Sequence, residues 1–257
     1  MRVSLLQYDI QWMDNAANLS KIETHLSSLE EPIELLVLPE MFLTGFNMNA
    51  AEAAIAEEDP SILSLIELAK QHKTAIIGSL AIMDDGQYCN RMLLIDGEGI
   101  QYRYDKQYLY SPSDENKAYT SIITPNIFEY KGWRILPQVC YDLRFPENVR
   151  QMESVDLIIY VANWPAGRIM HSDALLTARA IENQCWVIGC NRIGKDGNNW
   201  EYPGLTRYVK PDGKVLTLGS VEDSFDVDLP LEVVANYRSK YAFQDDRNKV
   251  SVSKRHS

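Results

Sequence analysis

Residues 134–146 read RILPQVCYDLRFP, from Arg134 to Pro146, and the reading of the whole chain turns on them. Arg134–Val139 is an apolar run of strand length. It delivers Cys140 into a tight polar turn, Tyr141-Asp142-Leu143-Arg144, and Pro146 then offers the start of a helix. A thiol at such a bend has the form of a nucleophile elbow. Its side chain is presented at the strand end, where the backbone N–H groups that follow can cradle an oxyanion. The same cysteine also suits a small inert core hydrophobe. Its neighbours Asp142 and Arg144 are what favour chemistry.

Outward from this stretch, strands alternate with helices and no low-complexity linker interrupts them. Before it lie strand Val3–Tyr8, a helix over Asn15–Leu29 capped by Asp14 or Asn15, strand Leu35–Leu38 ended by Pro39, and a helix over Ser61–His72 after Asp59-Pro60. Thr74–Ile82, Cys89–Ile95 and Gln101–Tyr104 form a meander, with turns at Asp84-Asp85-Gly86 and Gly97-Glu98-Gly99. After it come strand Asp156–Val161, a helix over His171–Asn183 and strand Trp186–Cys190. Strands Arg207–Val209 and Val215–Leu218 follow around Pro211-Asp212-Gly213, and Phe225–Leu229 is the last strand before a polar helix and tail. Strands outnumber crossover helices, so two mixed sheets covered by helices fit better than one doubly wound sheet. We expect a single α/β domain over residues 1–248 and a loose tail over 249–257.

The chain has 257 residues, 25 Lys+Arg against 36 Asp+Glu, and a net charge of −11, with a sequence pI near 4.9. Such an acidic chain disfavours nucleic acid and anionic membranes, and the one basic cluster is Lys254-Arg255-His256. Met1–Ile10 is too polar for a signal peptide, and no apolar run reaches the length of a membrane span. Four scattered cysteines with no CxxC spacing imply neither a disulfide framework nor a zinc knuckle. The expectation is a reduced, soluble, cytoplasmic protein.

Two further polar residues sit at strand exits, where open α/β sheets present functional groups. Glu40 in LPEMF follows the apolar LLVL; it is costly to bury alone, and it suits a solvent-facing cap equally well. Lys106 in YDKQYL ends the meander, where a surface lysine is the commoner outcome. Of the four histidines, only His171 has a chance of nearing Cys140, so a cysteine nucleophile here requires a carboxylate base and a cation. No metal-ligand spacing and no nucleotide motif is present.

Glu40 in LPEMF, Lys106 in YDKQYL and Cys140 in VCYDLRFP together resemble the Glu-Lys-Cys triad of the nitrilase, or carbon–nitrogen hydrolase, superfamily. The separations of 66 and 34 residues fall in that family's usual range. YVANWP (160–165), LLTARAIENQ (175–184) and GCNR (189–192) narrow the likeness to the ω-amidase branch, which hydrolyses α-keto dicarboxylic acid monoamides. The resemblance implies a four-layer α-β-β-α sandwich and a homodimer or higher homo-oligomer joined through helix 171–183 and the C-terminal segment. It implies Cys140 as nucleophile, Glu40 as general base, and Lys106 with the backbone N–H of Tyr141 as the oxyanion site, Lys106 also favouring the thiolate. Glu115 in SPSDENKAYT matches a second catalytic glutamate, although one acid in a polar loop is an equally plain reading. For a substrate carboxylate, Arg144 is the candidate anchor, against an ion pair with Asp142 or Glu147. Trp164 either walls the pocket or belongs to the core. No cofactor and no metal are implied, and the reaction needs only the small-molecule amide and water.

The sequence departs from the family pattern at Tyr108, in the loop Tyr119–Ile122, and at Leu205, all of which bear on pocket shape. The same triad also serves aliphatic amidases, N-carbamoyl hydrolases and nitrilases. A non-catalytic scaffold of the same fold is the reading from outside enzymology, and it leaves the three matching residues without a purpose.

Overall fold

The computed structural model describes residues 1–122, 127–150 and 155–249. Its first half comprises β1 (Arg2–Gln7), α1 (Asn15–Ser28), β2 (Leu35–Val37), α2 (Ala50–Ala53), α3 (Pro60–His72), β3 (Ala75–Asp84), β4 (Gln87–Asp96), β5 (Gly99–Asp105) and α4 (Glu115–Ala118). The second comprises β6 (Phe128–Tyr130), β7 (Trp133–Val139), β8 (Leu157–Ala162), α5 (Ile169–Asn183), β9 (Trp186–Asn191), β10 (Ile193–Lys195), β11 (Glu201–Pro203), β12 (Arg207–Val209), β13 (Val215–Thr217), β14 (Asp223–Asp228) and α6 (Leu231–Lys240).

Two six-stranded mixed sheets carry the fold, ordered β14-β1-β2-β3-β4-β5 and β13-β12-β9-β8-β7-β6. Each has three parallel strands in sequence, β1-β2-β3 in one and β7-β8-β9 in the other, flanked by antiparallel partners. Side-chain alternation builds the layers. Leu35 and Val37 of β2 face the other sheet with Leu5, Ile77, Ile135, Val139, Ile159 and Ile188, while Leu36 and Leu38 face Ile22 and Leu26 of α1 and Leu65 of α3. On the far side Leu136, Ile158 and Val187 pack on Leu176 and Ala180 of α5. The order is therefore α-β-β-α, with apolar surface buried at three interfaces.

Local chemistry fixes the ends. Asp14 accepts from the Ala17 N–H (2.9 Å) to cap α1, and Asp59 accepts from the Ser61 N–H ahead of Pro60 at the start of α3. β3 runs on through Asp84, leaving Asp85-Gly86 as a two-residue turn with φ of +45° and +76°, the hairpin geometry whose twist suits antiparallel strands. The helix expected from Pro146 differs. Cys140–Arg144 and Pro146–Asn148 are two separate 3-10 turns. Phe145 between them is extended (φ −111°, ψ 93°), as a residue before proline is forced to be, and the turn cannot pass through it. The tail expected over 249–257 lies outside the described residues apart from Lys249, and so does Lys254-Arg255-His256. Among the described residues no helix is long and apolar enough to cross a membrane.

Candidate active site

Four chain segments bring their polar residues to one end of the sandwich. Past β2, Leu38 donates its N–H to the Ile77 carbonyl and Pro39 stops the ladder. Met41 then turns with φ +45°, its N–H held by Ser79 Oγ at 3.0 Å, which sends Glu40 inward. Lys106 follows β5, its N–H donating to the Asn90 carbonyl across the sheet. Glu115 opens α4 behind the left-handed Asp114 (φ +61°). Cys140 leaves β7 with φ +43°, a conformation that costs a non-glycine residue about 1–3 kcal/mol and that sits at the bend foreseen for a nucleophile elbow.

Glu40, Lys106 and Glu115 are all buried and form one charged cluster. Lys106 Nζ donates to Glu40 Oε1 at 2.8 Å and to both Glu115 oxygens at 2.9 Å. Asn90 Nδ2 also bridges the two carboxylates, at 2.8 and 3.1 Å. Glu40 Oε2 accepts from the Asn163 N–H at 2.9 Å, and Glu115 Oε2 from the Tyr110 N–H at 2.6 Å. Glu40 is thus no solvent-facing cap, Lys106 no surface lysine and Glu115 no loop acid. Burial works against the Lys106 ammonium, but attraction from Glu115 and then Glu40 outweighs it and holds the group charged, above its ordinary range.

Cys140 lies against this cluster, its Sγ donating to the Asn163 carbonyl at 4.0 Å. Burial pushes its thiol well above the usual value. Glu40 adds to the rise by charge and by a side-chain hydrogen bond, and Lys106 opposes it. Lys106 thus favours the thiolate, as expected, but burial and then the charge of Glu40 outweigh it and hold the sulfur toward the neutral thiol. Asp142, two residues on, is buried and ties the nucleophile turn to the lysine strand. One oxygen accepts from the Gln107 and Tyr108 N–H groups (3.2 and 2.8 Å), the other from the Val139 N–H (2.9 Å) and Tyr104 Oη (3.0 Å). Its burial raises its pKa to about 6, against the pull of those donors.

Above the cluster opens a cavity of about 490 Å³ lined by Glu40, Lys106, Cys140, Tyr141, Arg144, Asn163 and Trp164, among others. Arg144 does not pair with Asp142 or Glu147. Its guanidinium sits between Tyr141 and Trp164, 5.9 and 5.0 Å from the ring centres, and contacts His171 Nδ1 at 3.2 Å. Trp164 is both wall and core: it faces the cavity and packs with Leu143 and Tyr160. The three departures are not on the main wall. Tyr108 stacks on Phe145 at 3.7 Å, the Ile122 carbonyl accepts from Gln107 Nε2, and Leu205 borders a crevice behind Cys140. Among the described residues no group of three or more His, Cys, Asp or Glu is arranged to hold a metal ion.

A family model described as carbon-nitrogen hydrolase matches residues 2–239. The chain belongs to the carbon-nitrogen hydrolase family. This hydrolase is 42% identical over 248 residues to the protein named omega-amidase YafV of Escherichia coli K12, covering 95% of this chain and 96% of that one. It is 32% identical over 253 residues to the 2-oxoglutaramate amidase of Bacillus subtilis, covering 96% and 97%. Among solved structures it superposes with a TM-score of 0.93, at 32% identity and 98% coverage of both chains, on a CN-hydrolase superfamily protein from Xanthomonas campestris with an arsenic adduct in its active site.

Sequence reasoning gave no cluster-holding role to four residues that have one in this hydrolase. Asn90 and its neighbour Arg91 interrupt the apolar β4, and that break was the available signal. Arg91 pairs across the sheet with Asp105 in a two-pronged ion pair (2.7 and 3.0 Å), pinning the strand just before Lys106. Asn163 stands in the quoted YVANWP, yet only the fold shows its N–H, Nδ2 and carbonyl all turned to Glu40 and Cys140. Asp142 was read as a possible partner of Arg144, and nothing in its spacing pointed to four donors.

Proposed function

We propose that this hydrolase is an ω-amidase-like amidase that releases ammonia from short α-keto dicarboxylic acid monoamides, such as α-ketoglutaramate and α-ketosuccinamate, through a thioester on Cys140. The observation that carries the proposal is the buried Lys106 ammonium shared between Glu40 and Glu115 beside the thiol on the cavity floor. Relatives named omega-amidase and 2-oxoglutaramate amidase support the substrate class.

An unactivated amide needs a strong nucleophile, a site for the oxyanion and a proton for the leaving nitrogen. Because the thiol rests protonated, attack and deprotonation go together: Sγ bonds to the amide carbon while its proton passes to Glu40. The carbonyl oxygen becomes an oxyanion held by Lys106 Nζ and the Tyr141 N–H, each such donor being worth roughly 3–4 kcal/mol. The intermediate collapses, the carbon–nitrogen bond breaks, and Glu40 returns the proton to departing ammonia. Glu40 then takes a proton from water as the water oxygen attacks the thioester, and the acid leaves with Cys140 again a thiol. Glu115 keeps the ammonium in place through both halves. Arg144 and Trp164 receive the acid tail. The chain acts in this reading as one domain over 1–248, paired with a second copy through α5 and the C-terminal segment. It works in the cytoplasm, where the thiol stays reduced.

Ammonia release from matched keto-acid amides, aliphatic amides, carbamoyl amino acids and nitriles tests the substrate class. The keto-acid amides should lead. A faster nitrile or carbamoyl substrate would reassign the specificity, and no release from any member of the panel would leave the scaffold reading.

A further inference from the structure

The mouth of the cavity is a closed collar of aromatic and cationic groups. Arg168 lies over Tyr110 at 5.2 Å and over Trp200 at 5.3 Å. Tyr110 meets Tyr141 edge-on at 5.0 Å, and Tyr141 and Trp164 flank Arg144. Trp164 closes the ring, its Nε1 donating to the Arg168 carbonyl at 2.7 Å. All six side chains line the same cavity.

Arg168 differs from an ordinary surface arginine. Its guanidinium carbon lies over two rings, and a guanidinium has an N–H edge that matches a carboxylate in two-pronged fashion. Among the described residues its guanidinium has no carboxylate partner and no hydrogen-bond acceptor, although it is partly buried. Arg144 already spends one edge on His171. The polarity of the cavity completes the argument. Two carboxylates against one ammonium lie at the floor, and two guanidiniums stand at the collar. The one further carboxylate of the lining, Asp196, is taken up by the Tyr202 hydroxyl and the Asn198 and Trp200 N–H groups and makes no ion pair with either arginine. An acid that entered carboxylate-first would meet repulsion at the floor. One that entered amide-first would bring its neutral end to Cys140 and its charge to the collar.

We infer that Arg168 binds the carboxylate end of the amide substrate, a specificity-determining cation that acts with Arg144 to orient the amide toward Cys140. The substrate class rests on the function proposed above.

The test compares a short monoamide ending in a carboxylate with its neutral diamide. Arg168→Gln should raise KM for the acid about 10- to 100-fold, the worth of a charge-assisted pair, with kcat little changed. Its kcat/KM for the diamide should stay within about twofold, and Arg168→Lys should recover part of the loss. Equal losses on both amides would make Arg168 a structural residue, and no loss on the acid would remove it from the site. A second measurement needs no turnover. Calorimetric binding of glutaramate, which has one amide end and one carboxylate, to the Cys140→Ala protein should weaken at least tenfold, about 1.4 kcal/mol, when Arg168→Gln is added. Unchanged affinity, or no glutaramate binding with Arg168 present, would overturn the inference. If the wild type released ammonia from neither amide, the proposed function would fall, and the glutaramate comparison would still decide Arg168.

Discussion

Three parallel strands stand at the centre of each sheet, β1-β2-β3 in one and β7-β8-β9 in the other, but their exits carry different chemistry. The first sheet and the loop after it supply charge: Glu40 past β2, Lys106 past β5 and Glu115 beyond it. The second supplies the thiol of Cys140 past β7 and the amide and carbonyl groups of Asn163 past β8. Neither half has a working site by itself. The charged half is a buried ion cluster needing something to act on, and the other holds a thiol too protonated to attack unaided. Face-to-face packing of the sheets brings acid, cation and sulfur together without a metal-like ligand set or a histidine base.

The largest expected effect lies on the uncharged half. Cys140→Ala should lower kcat by about 10⁴-fold or more, with the thermal melt nearly unchanged, since no ion pair is lost. Activity near the wild-type level would remove the sulfur from the account. The charged half should behave in the opposite way. Lys106→Met leaves Glu40 and Glu115 facing each other in a buried site, and urea unfolding should show about 3–5 kcal/mol of lost stability together with lost activity. A stable, inactive Lys106 variant would mean that the two carboxylates are not both ionised around it.

Asp142 tests the tie between the halves. Asp142→Asn turns an amide NH2 toward donors that now meet an oxygen, which should cost about 1–3 kcal/mol in urea unfolding. The pH dependence has a definite sign. With its pKa raised to about 6, the folded Asp142 keeps a proton across a window where the unfolded carboxyl, near about 3.9, has released it. Its contribution to stability therefore falls as pH rises toward 6 and is flat above. The advantage of wild type over Asp142→Asn should be larger at pH 4.5 than at pH 7, and a reversed order would contradict the burial assigned to this carboxyl. The smallest effect is kinetic: Cys140 alkylation by iodoacetamide should keep accelerating beyond the ordinary thiol range, whereas a plateau below it would indicate a resting thiolate.

The two halves were also unequally legible. RILPQVCYDLRFP concentrates an apolar strand, a thiol and a polar turn in thirteen positions, so the bend at Cys140 could be read from the chain itself. Glu40 and Lys106 each sit alone at a strand exit. Whether such a charge is buried depends on a partner 66 residues away, and local pattern carries no information about that distance. The apolar run Leu35, Leu36, Val37 and Leu38 marks a strand covered on both faces, whereas the two mixed sheets were legible from strands outnumbering crossover helices and the four layers only from the family resemblance. The helix expected at Pro146 failed because proline at a turn's first position signals a helical start without fixing its length. Asn163 and Asn90 stayed unassigned because an amide has a role only once its neighbours in space are known.

The central claim is that groups from both sheets act on one sulfur. Mass spectrometry of the protein quenched during turnover of a slow keto-acid monoamide tests it most directly. The account predicts one added acyl mass, mapped to the peptide holding Cys140 and absent from Glu40→Gln. An acyl group on another residue, or an undiminished adduct in the Glu40 variant, would contradict it.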